Sequence, residues 1–325
     1  MNLFDMGDLQ LPWCLRVVVT LRIAQAMADG LTDVRDLAAA THCNSGALSE
    51  VLEFLVGKGL FEETQPGSFQ LNELARGLLD PAVQLGLDLN GIGGRMTGAW
   101  GTLLKYVQTG APAYHQQFGV PFWEDLEAHP EIAASFDDLM GPLGHGTING
   151  EFELTGGWEP VRTVVDVGGG AGAMLAAILH LRSQVHGILV DLPRTVERAA
   201  ETFRSASVEE RVTLVGQSFF HPLPSGADVY LLRAVINNWA DPEAEIILRR
   251  CAEACGPASR VVILKSVLPD NERQRLSIST LMVPGKDRSI AEFTGLARRS
   301  GLKVLAAARQ PSGYFVVECR PIAGS

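Results

Sequence analysis

Four glycines in five positions, directly behind a β-branched run, leave this chain few ways to fold. The stretch is Val164-Val165-Asp166-Val167-Gly168-Gly169-Gly170-Ala171-Gly172. Val164, Val165 and Val167 have the composition of a strand buried on both faces. The glycines at 168, 169, 170 and 172 remove Cβ atoms from the turn, so its backbone takes positive φ without strain and lets a ligand approach closely. A helix is predicted from Ala173 to Leu181, with its first N–H groups facing that space. Gly187-Ile188-Leu189-Val190-Asp191 then reads as a second strand ending in an acid, where a carboxylate can accept both hydroxyls of a ribose. Strand, turn, helix, strand and acid in this order point to a nucleotide-type cofactor site.

The residues leave two cofactor classes open. Gly168-x-Gly170-x-x-Ala173 fits the dinucleotide fingerprint in its alanine-ended form, and the spacing to Asp191 suits NAD as well. Asp166, two residues before the first glycine, favours the other class. Its charge would oppose a pyrophosphate and suits a cofactor carrying an amino group and a sulfonium, as S-adenosylmethionine does.

A chain of 325 residues suggests two domains, and 46% apolar residues suffice for sizeable cores. No apolar run is long enough to predict a membrane span. The first twelve residues lack a basic start and a cleavage site, so no signal peptide is expected. Five cysteines are scattered, with Cys251 and Cys255 one helical turn apart, where a packed pair is expected rather than a metal site. This cysteine usage points to a reducing cytoplasm. A net charge of −10 speaks against a nucleic-acid partner.

Residues 1–90 read as helices followed by a hairpin. An apolar helix is expected over Leu15 to Ala28, a second opening at Thr32-Asp33-Val34, and a third over Asn44 to Lys58 with Leu48, Val51, Leu52 and Leu55 at helical spacing. Gly59 to Glu63 and Gly67 to Leu71 form the hairpin, completing a winged helix. Its third helix carries Glu50 and Glu53 against a lone Lys58, which favours packing or dimerisation over DNA binding. Residues 91–150 read as connecting helices rich in aromatics, some of which should cover the cofactor turn. From residue 151 onward strands and helices alternate, the pattern of a doubly wound α/β domain. The expected closing strands are Val304-Leu305 and Tyr314 to Glu318.

The whole layout resembles the class I S-adenosylmethionine-dependent O-methyltransferases of the plant caffeic-acid and bacterial polyketide or anthracycline type. The landmarks are Gly110 to Tyr114, Phe122-Trp123-Glu124-Asp125-Leu126, Phe136 to Met140, the glycine turn, Asp191-Leu192-Pro193, Phe219 to Pro224, Asn238-Trp239 and Lys286-Asp287-Arg288-Ser289. The resemblance implies a Rossmann-like cofactor domain behind a winged-helix dimerisation domain. It also implies a homodimer and a small aromatic substrate held between the domains. Asp166, Gly168, Gly170, Asp191, Ser218, Phe219 and Arg233 are then expected at S-adenosylmethionine or S-adenosylhomocysteine. Phe136, Met140, Trp239 and Asp287 are expected at the substrate.

The same resemblance shows departures. Ser218 stands where the family usually has an aspartate, and Arg233 replaces a common lysine, keeping charge but not shape. The family's general base is a histidine two residues before the tryptophan; here that position is Asn237. Its glutamate partner aligns with Lys265. Asparagine takes no proton near neutral pH, and Lys265 would favour an anionic substrate or donate a proton. His145, in a glycine-rich segment, is the histidine best placed to substitute. His221 reads as structural, and His42, His115, His129, His180 and His186 as peripheral, without metal-ligand spacing.

Two functional readings follow. The first is O-methylation of an aromatic or polyketide-like metabolite, driven by alignment of nucleophile, methyl carbon and sulfur rather than by a strong base. The second is a repurposed methyltransferase fold, catalysing a hydroxylation, decarboxylation, rearrangement or cyclisation with the cofactor as a bound helper. A nicotinamide enzyme and a non-enzymatic interaction protein are the remaining alternatives.

Overall fold

The computed structural model describes residues 2–141 and 148–322. By internal packing the described chain divides into two compact units, residues 2–98 with 126–141 and residues 99–125 with 148–322. The helical stretch after residue 91 is thus shared between both units.

In the first unit, helices Gln10–Thr20, Ile23–Ala28, Val34–Ala40 and Ser45–Gly57 precede a hairpin of β1 (Glu62–Gln65) and β2 (Ser68–Gln70). Asp33 and Asn44 cap two of these helices by accepting the Arg35 and Ala47 backbone N–H groups. The last helix buries Leu48, Leu52 and Leu55, spaced so that all three fall on one face. They join Val18, Ile23, Leu37 and Phe69 in the core of this unit. These helices and hairpin are the mainly helical domain read from the sequence.

The single helix expected over Leu15 to Ala28 is instead two, broken at Arg22, whose φ is +57°. No glycine or proline marks the break. Arg22 donates to Gln84 Oε1 at 2.6 Å and to Asp88 Oδ2 at 2.8 Å, partners more than sixty positions away. A long-range clamp therefore accompanies a backbone conformation that costs a non-glycine residue about 1–2 kcal/mol.

In the second unit, seven strands form one sheet: β3 (Thr163–Val167), β4 (His186–Asp191), β5 (Val212–Gly216), β6 (Val229–Arg233), β7 (Arg260–Leu264), β10 (Leu302–Arg309) and β11 (Phe315–Pro321). A separate parallel pair joins β8 (Val267–Leu268) to β9 (Arg288–Ser289). The sheet order is β10-β11-β7-β6-β3-β4-β5. β3 to β7 run parallel, and β11 is antiparallel to both β7 and β10. The closing hairpin is longer than its apolar residues alone suggested.

From β3 the chain winds outward to β4 and β5 on one side and to β6 and β7 on the other. The strand order reverses between β3 and β6, and the crevice at their carboxyl ends is where open α/β sheets bind ligands. Alternate β3 side chains feed two cores. Val165 and Val167 pack with Ile247, Leu248 and Phe293 on one face, and Val164 packs with Leu175 and Ile178 on the other. No described helix is long and apolar enough to cross a membrane.

Candidate active site

The glycine turn closes over the end of β3. Gly168, Gly170 and Gly172 all have φ between +59° and +80°, a conformation that favours glycine. A Cβ on Gly170 would meet nothing within 4 Å, so this part of the turn opens onto free space. Gly172 is packed instead, because a Cβ there would lie 2.4 Å from the Phe203 ring. Asp191 ends β4, and its Oδ2 and Oδ1 accept the backbone N–H groups of Gly170 at 2.8 Å and Leu192 at 2.7 Å. Burial still pushes its carboxyl above the ordinary range against those two bonds. Each oxygen keeps accepting capacity for a further hydroxyl.

Asp166 lies beneath this turn and is 1% exposed. Burial raises its carboxyl to about 7, opposed by the Arg233 guanidinium and reinforced by the charge of Asp191. Asp166 Oδ2 and Arg233 Nε are both buried without a hydrogen-bond partner among the described residues. Phe219 packs against the turn, 3.2 Å from where a Gly168 Cβ would stand. Ser218 Oγ accepts the Phe220 N–H at 3.3 Å, so this hydroxyl shapes its own loop.

The segment after β6 carries Asn237 on a 3₁₀ turn, Ile236–Asn238. Ser266 Oγ, wholly buried, donates to Asn237 Oδ1 at 2.9 Å. The Asn237 side chain also stands beside Asp287, where it and the Arg288 charge oppose the upward push of burial on the Asp287 carboxyl. Asp287, read from sequence as a substrate residue, thus stands beside Asn237. Lys265 follows β7 in the left-handed region, at φ +55°. Desolvation and the neighbouring Arg233 charge hold its ammonium below the usual lysine value.

Trp239 stacks on Trp123 with centroids 5.9 Å apart and meets Phe219 and Phe220 edge-on. One of its faces is therefore occupied by protein. Phe136 and Met140 lie on helix Pro130–Met140 of the first unit, Phe136 partly buried and Met140 exposed. His145 lies outside the described residues. His221 is exposed in the loop after β5, its N–H donating to the Ser218 carbonyl at 3.1 Å. Cys251 and Cys255 are free thiols pushed up by burial, and no metal-binding cluster occurs among the described residues.

Sequence reasoning assigned no role to three residues that hold the Asn237 turn. Arg288, 1% exposed, donates to the carbonyls of Ile236 at 2.8 Å and Trp239 at 2.9 Å and pairs with Asp241 at 2.8 Å. Gly285 lies flat against the same turn, since a Cβ would come within 2.2 Å of the Asn237 carbonyl oxygen. Ser266 fixes which way the amide points. The only local signal was the run Lys286-Asp287-Arg288-Ser289, without a role for each member.

Residues 100–303 match the model of the O-methyltransferase domain, and residues 6–81 that of the O-methyltransferase dimerisation domain. The chain belongs to the O-methyltransferase family. Its relatives include a 2,7-dihydroxy-5-methyl-1-naphthoate 7-O-methyltransferase of Streptomyces carzinostaticus, 36% identical and covering 96% of this chain and 95% of that protein. The aclacinomycin 10-hydroxylase RdmB of Streptomyces purpurascens is also 36% identical, covering 92% and 83%. Among solved structures, the O-methyltransferase NcsB1 of neocarzinostatin biosynthesis, in complex with S-adenosylmethionine and 2-hydroxy-5-methyl naphthoic acid, aligns with a TM-score of 0.86. It is 34% identical over 99% of both chains. The protein is accordingly an enzyme of the S-adenosylmethionine-dependent methyltransferase family, with a Rossmann-like domain and a mainly helical dimerisation domain.

Proposed function

We propose that this enzyme methylates a hydroxyl of a small aromatic, polyketide-like acceptor with S-adenosylmethionine, and that it does so by positioning. The observation that carries this reading is the amide of Asn237, its oxygen held by Ser266 beside Asp287, where the resemblance places the family's histidine base. An amide accepts no proton at neutral pH, but its NH2 group can donate to orient an acceptor oxygen. Alignment of this kind can lower a barrier by several kcal/mol without a base, up to about 7–11 in favourable intramolecular models.

The cradle fits the family's cofactor. Asp191 suits the ribose, Phe219 the adenine edge, and the open turn at Gly170 the approach of the chain that joins them. The unpartnered Asp166 Oδ2 and Arg233 Nε offer one site for an ammonium and one for a carboxylate, the two groups of an amino-acid tail. When bound, the cofactor supplies a methyl carbon activated by its sulfonium. Trp239, Phe220 and Trp123 offer the aromatic wall against which a flat acceptor would lie. The naphthoate-type ligands named for the similar methyltransferase and the similar solved structure support that acceptor class.

Methyl-labelled S-adenosylmethionine and a panel of aromatic hydroxyl acceptors, including dihydroxynaphthoates, test the proposal. Labelled product with equimolar S-adenosylhomocysteine is expected, and no release with any acceptor would reject it. The second reading, a non-methylating step, is favoured by one pairing of facts. A relative named as a hydroxylase has the same 36% identity as the methyltransferase, over a somewhat smaller share of both chains, and Asn237 and Lys265 stand where the resemblance places the usual base pair. Acceptor turnover without consumption of the methyl donor would support it. The enzyme is further proposed to be a homodimer, from its dimerisation domain and the exposed Leu3, Phe4, Met6, Leu9 and Trp13.

A further inference from the structure

We propose that Lys265 is the specificity residue for an acidic acceptor, its ε-ammonium binding a carboxylate on the aromatic molecule that the site takes. This rests on the acceptor-binding reading of the site and names the charge of its ligand.

The argument begins with the strands. Asp166 and Leu231 are register partners on β3 and β6, and Arg233 and Leu264 are partners on β6 and β7. Asp166, Arg233 and Lys265 therefore mark the carboxyl ends of three adjacent strands beside the point where the sheet order reverses. Both cationic positions sit at backbone kinks. Ala234, just after Arg233, and Lys265 itself have φ of +55°, and the Ala234 N–H donates to the Leu264 carbonyl at 2.9 Å. A lysine held in this conformation has no glycine's freedom, and its strain is tied to the mouth of the crevice.

Charge along this row does not balance. Asp166 faces Arg233, which accounts for one cation. Lys265 feels Arg233 too, a charge of its own sign. Among the described residues it makes no hydrogen bond or ion pair. Its Nζ lies 6.0 Å from the centroid of the Tyr314 ring, at the outer limit of a cation–π contact. The Tyr314 hydroxyl is engaged elsewhere, donating to the Asn149 carbonyl at 2.9 Å.

A cofactor with one net positive charge would deepen this excess, and an anionic acceptor would relieve it. The placement suits such an acceptor. Lys265 is exposed, and the next residue along the backbone, Ser266, holds the Asn237 amide proposed to orient the acceptor hydroxyl.

The test is binding, so it is independent of methyl transfer. 1,4-Dihydroxy-2-naphthoate and its methyl ester are titrated calorimetrically into the full-length enzyme saturated with S-adenosylhomocysteine. The wild type is expected to bind the acid about tenfold more tightly than the ester, the worth of one charge-assisted contact. That preference should shrink as salt is raised. Lys265→Met is expected to weaken the acid to the level of the ester and leave the ester unchanged. Lys265→Arg keeps the preference, and S-adenosylhomocysteine affinity without acceptor shifts less than about twofold in both variants. The proposal is overturned if the wild type shows no preference or binds neither probe, or if Lys265→Met keeps the preference. It is equally overturned if Lys265→Met weakens S-adenosylhomocysteine more than the acid, because the ammonium would then serve the cofactor's own carboxylate.

Discussion

Asp166 joins a buried position to an ionisable group that changes charge near neutrality. Its carboxyl is raised from 3.8 to about 7, so the folded chain holds this proton more tightly than the unfolded chain. By linkage the group favours the folded state most at low pH, and this contribution declines as pH rises from about 4 to about 7. A cationic ligand tail beside Asp166 reverses the preference and expels the proton. S-adenosylhomocysteine affinity is therefore expected to rise with pH up to about 7, with proton release measurable in buffers of different ionisation enthalpy. Asp166→Asn should flatten that dependence, and an unchanged slope in the variant would count against Asp166 as its source. Asn237 makes the complementary prediction. If it only orients, Asn237→Ala lowers kcat by about tenfold, well short of the 10²–10⁴ typical of a lost general base, and leaves the shape of the pH–rate profile intact. Both residues stood out in the sequence because each sits at a fixed offset from a motif. The clamp on Arg22 did not, since Gln84 and Asp88 reach it only through the fold.

The turn after β6 depends on elements far from it in sequence. The β8–β9 pairing sets Arg288 opposite Val267, just beyond the end of β7, and from there its guanidinium reaches the Ile236 and Trp239 carbonyls. Arg288→Met leaves two carbonyls without their donor, and a loss of about 2–4 kcal/mol is expected in denaturant unfolding. Gly285→Ala forces a Cβ onto backbone atoms of residues 237–239 that cannot move aside as a side chain would. It should cost about 1–3 kcal/mol as overpacking and reduce activity well beyond what that stability loss explains. Near-normal kcat in Gly285→Ala would show that the turn is not held by this contact. The strand–turn–helix at 163–181 was legible because every signal in it is local: β-branched residues, glycines, then an apolar helix. The approach of Gly285 was not, because a glycine kept for close packing looks the same in sequence as one kept for a turn.

In the molecule as a whole, the described chain is built of two units with separate cores, and their order in sequence matches the family's dimerisation and methyltransferase domains. The residues between 91 and 141 belong in part to each unit. The exposed apolar side chains of the N-terminal helices lead to a prediction for assembly. Sedimentation should give the mass of a dimer, and Phe4→Asp with Leu9→Asp should shift it toward the monomer while preserving helical content. A wild-type monomer at micromolar concentration would refute the homodimer. The central claim is that methyl transfer proceeds with an amide where the family has a base. It is tested most directly by following acceptor loss, methylated product and S-adenosylhomocysteine together in one reaction of the purified enzyme with a dihydroxynaphthoate. One S-adenosylhomocysteine per methylated product is the predicted result, and acceptor consumed with the methyl donor intact would contradict it.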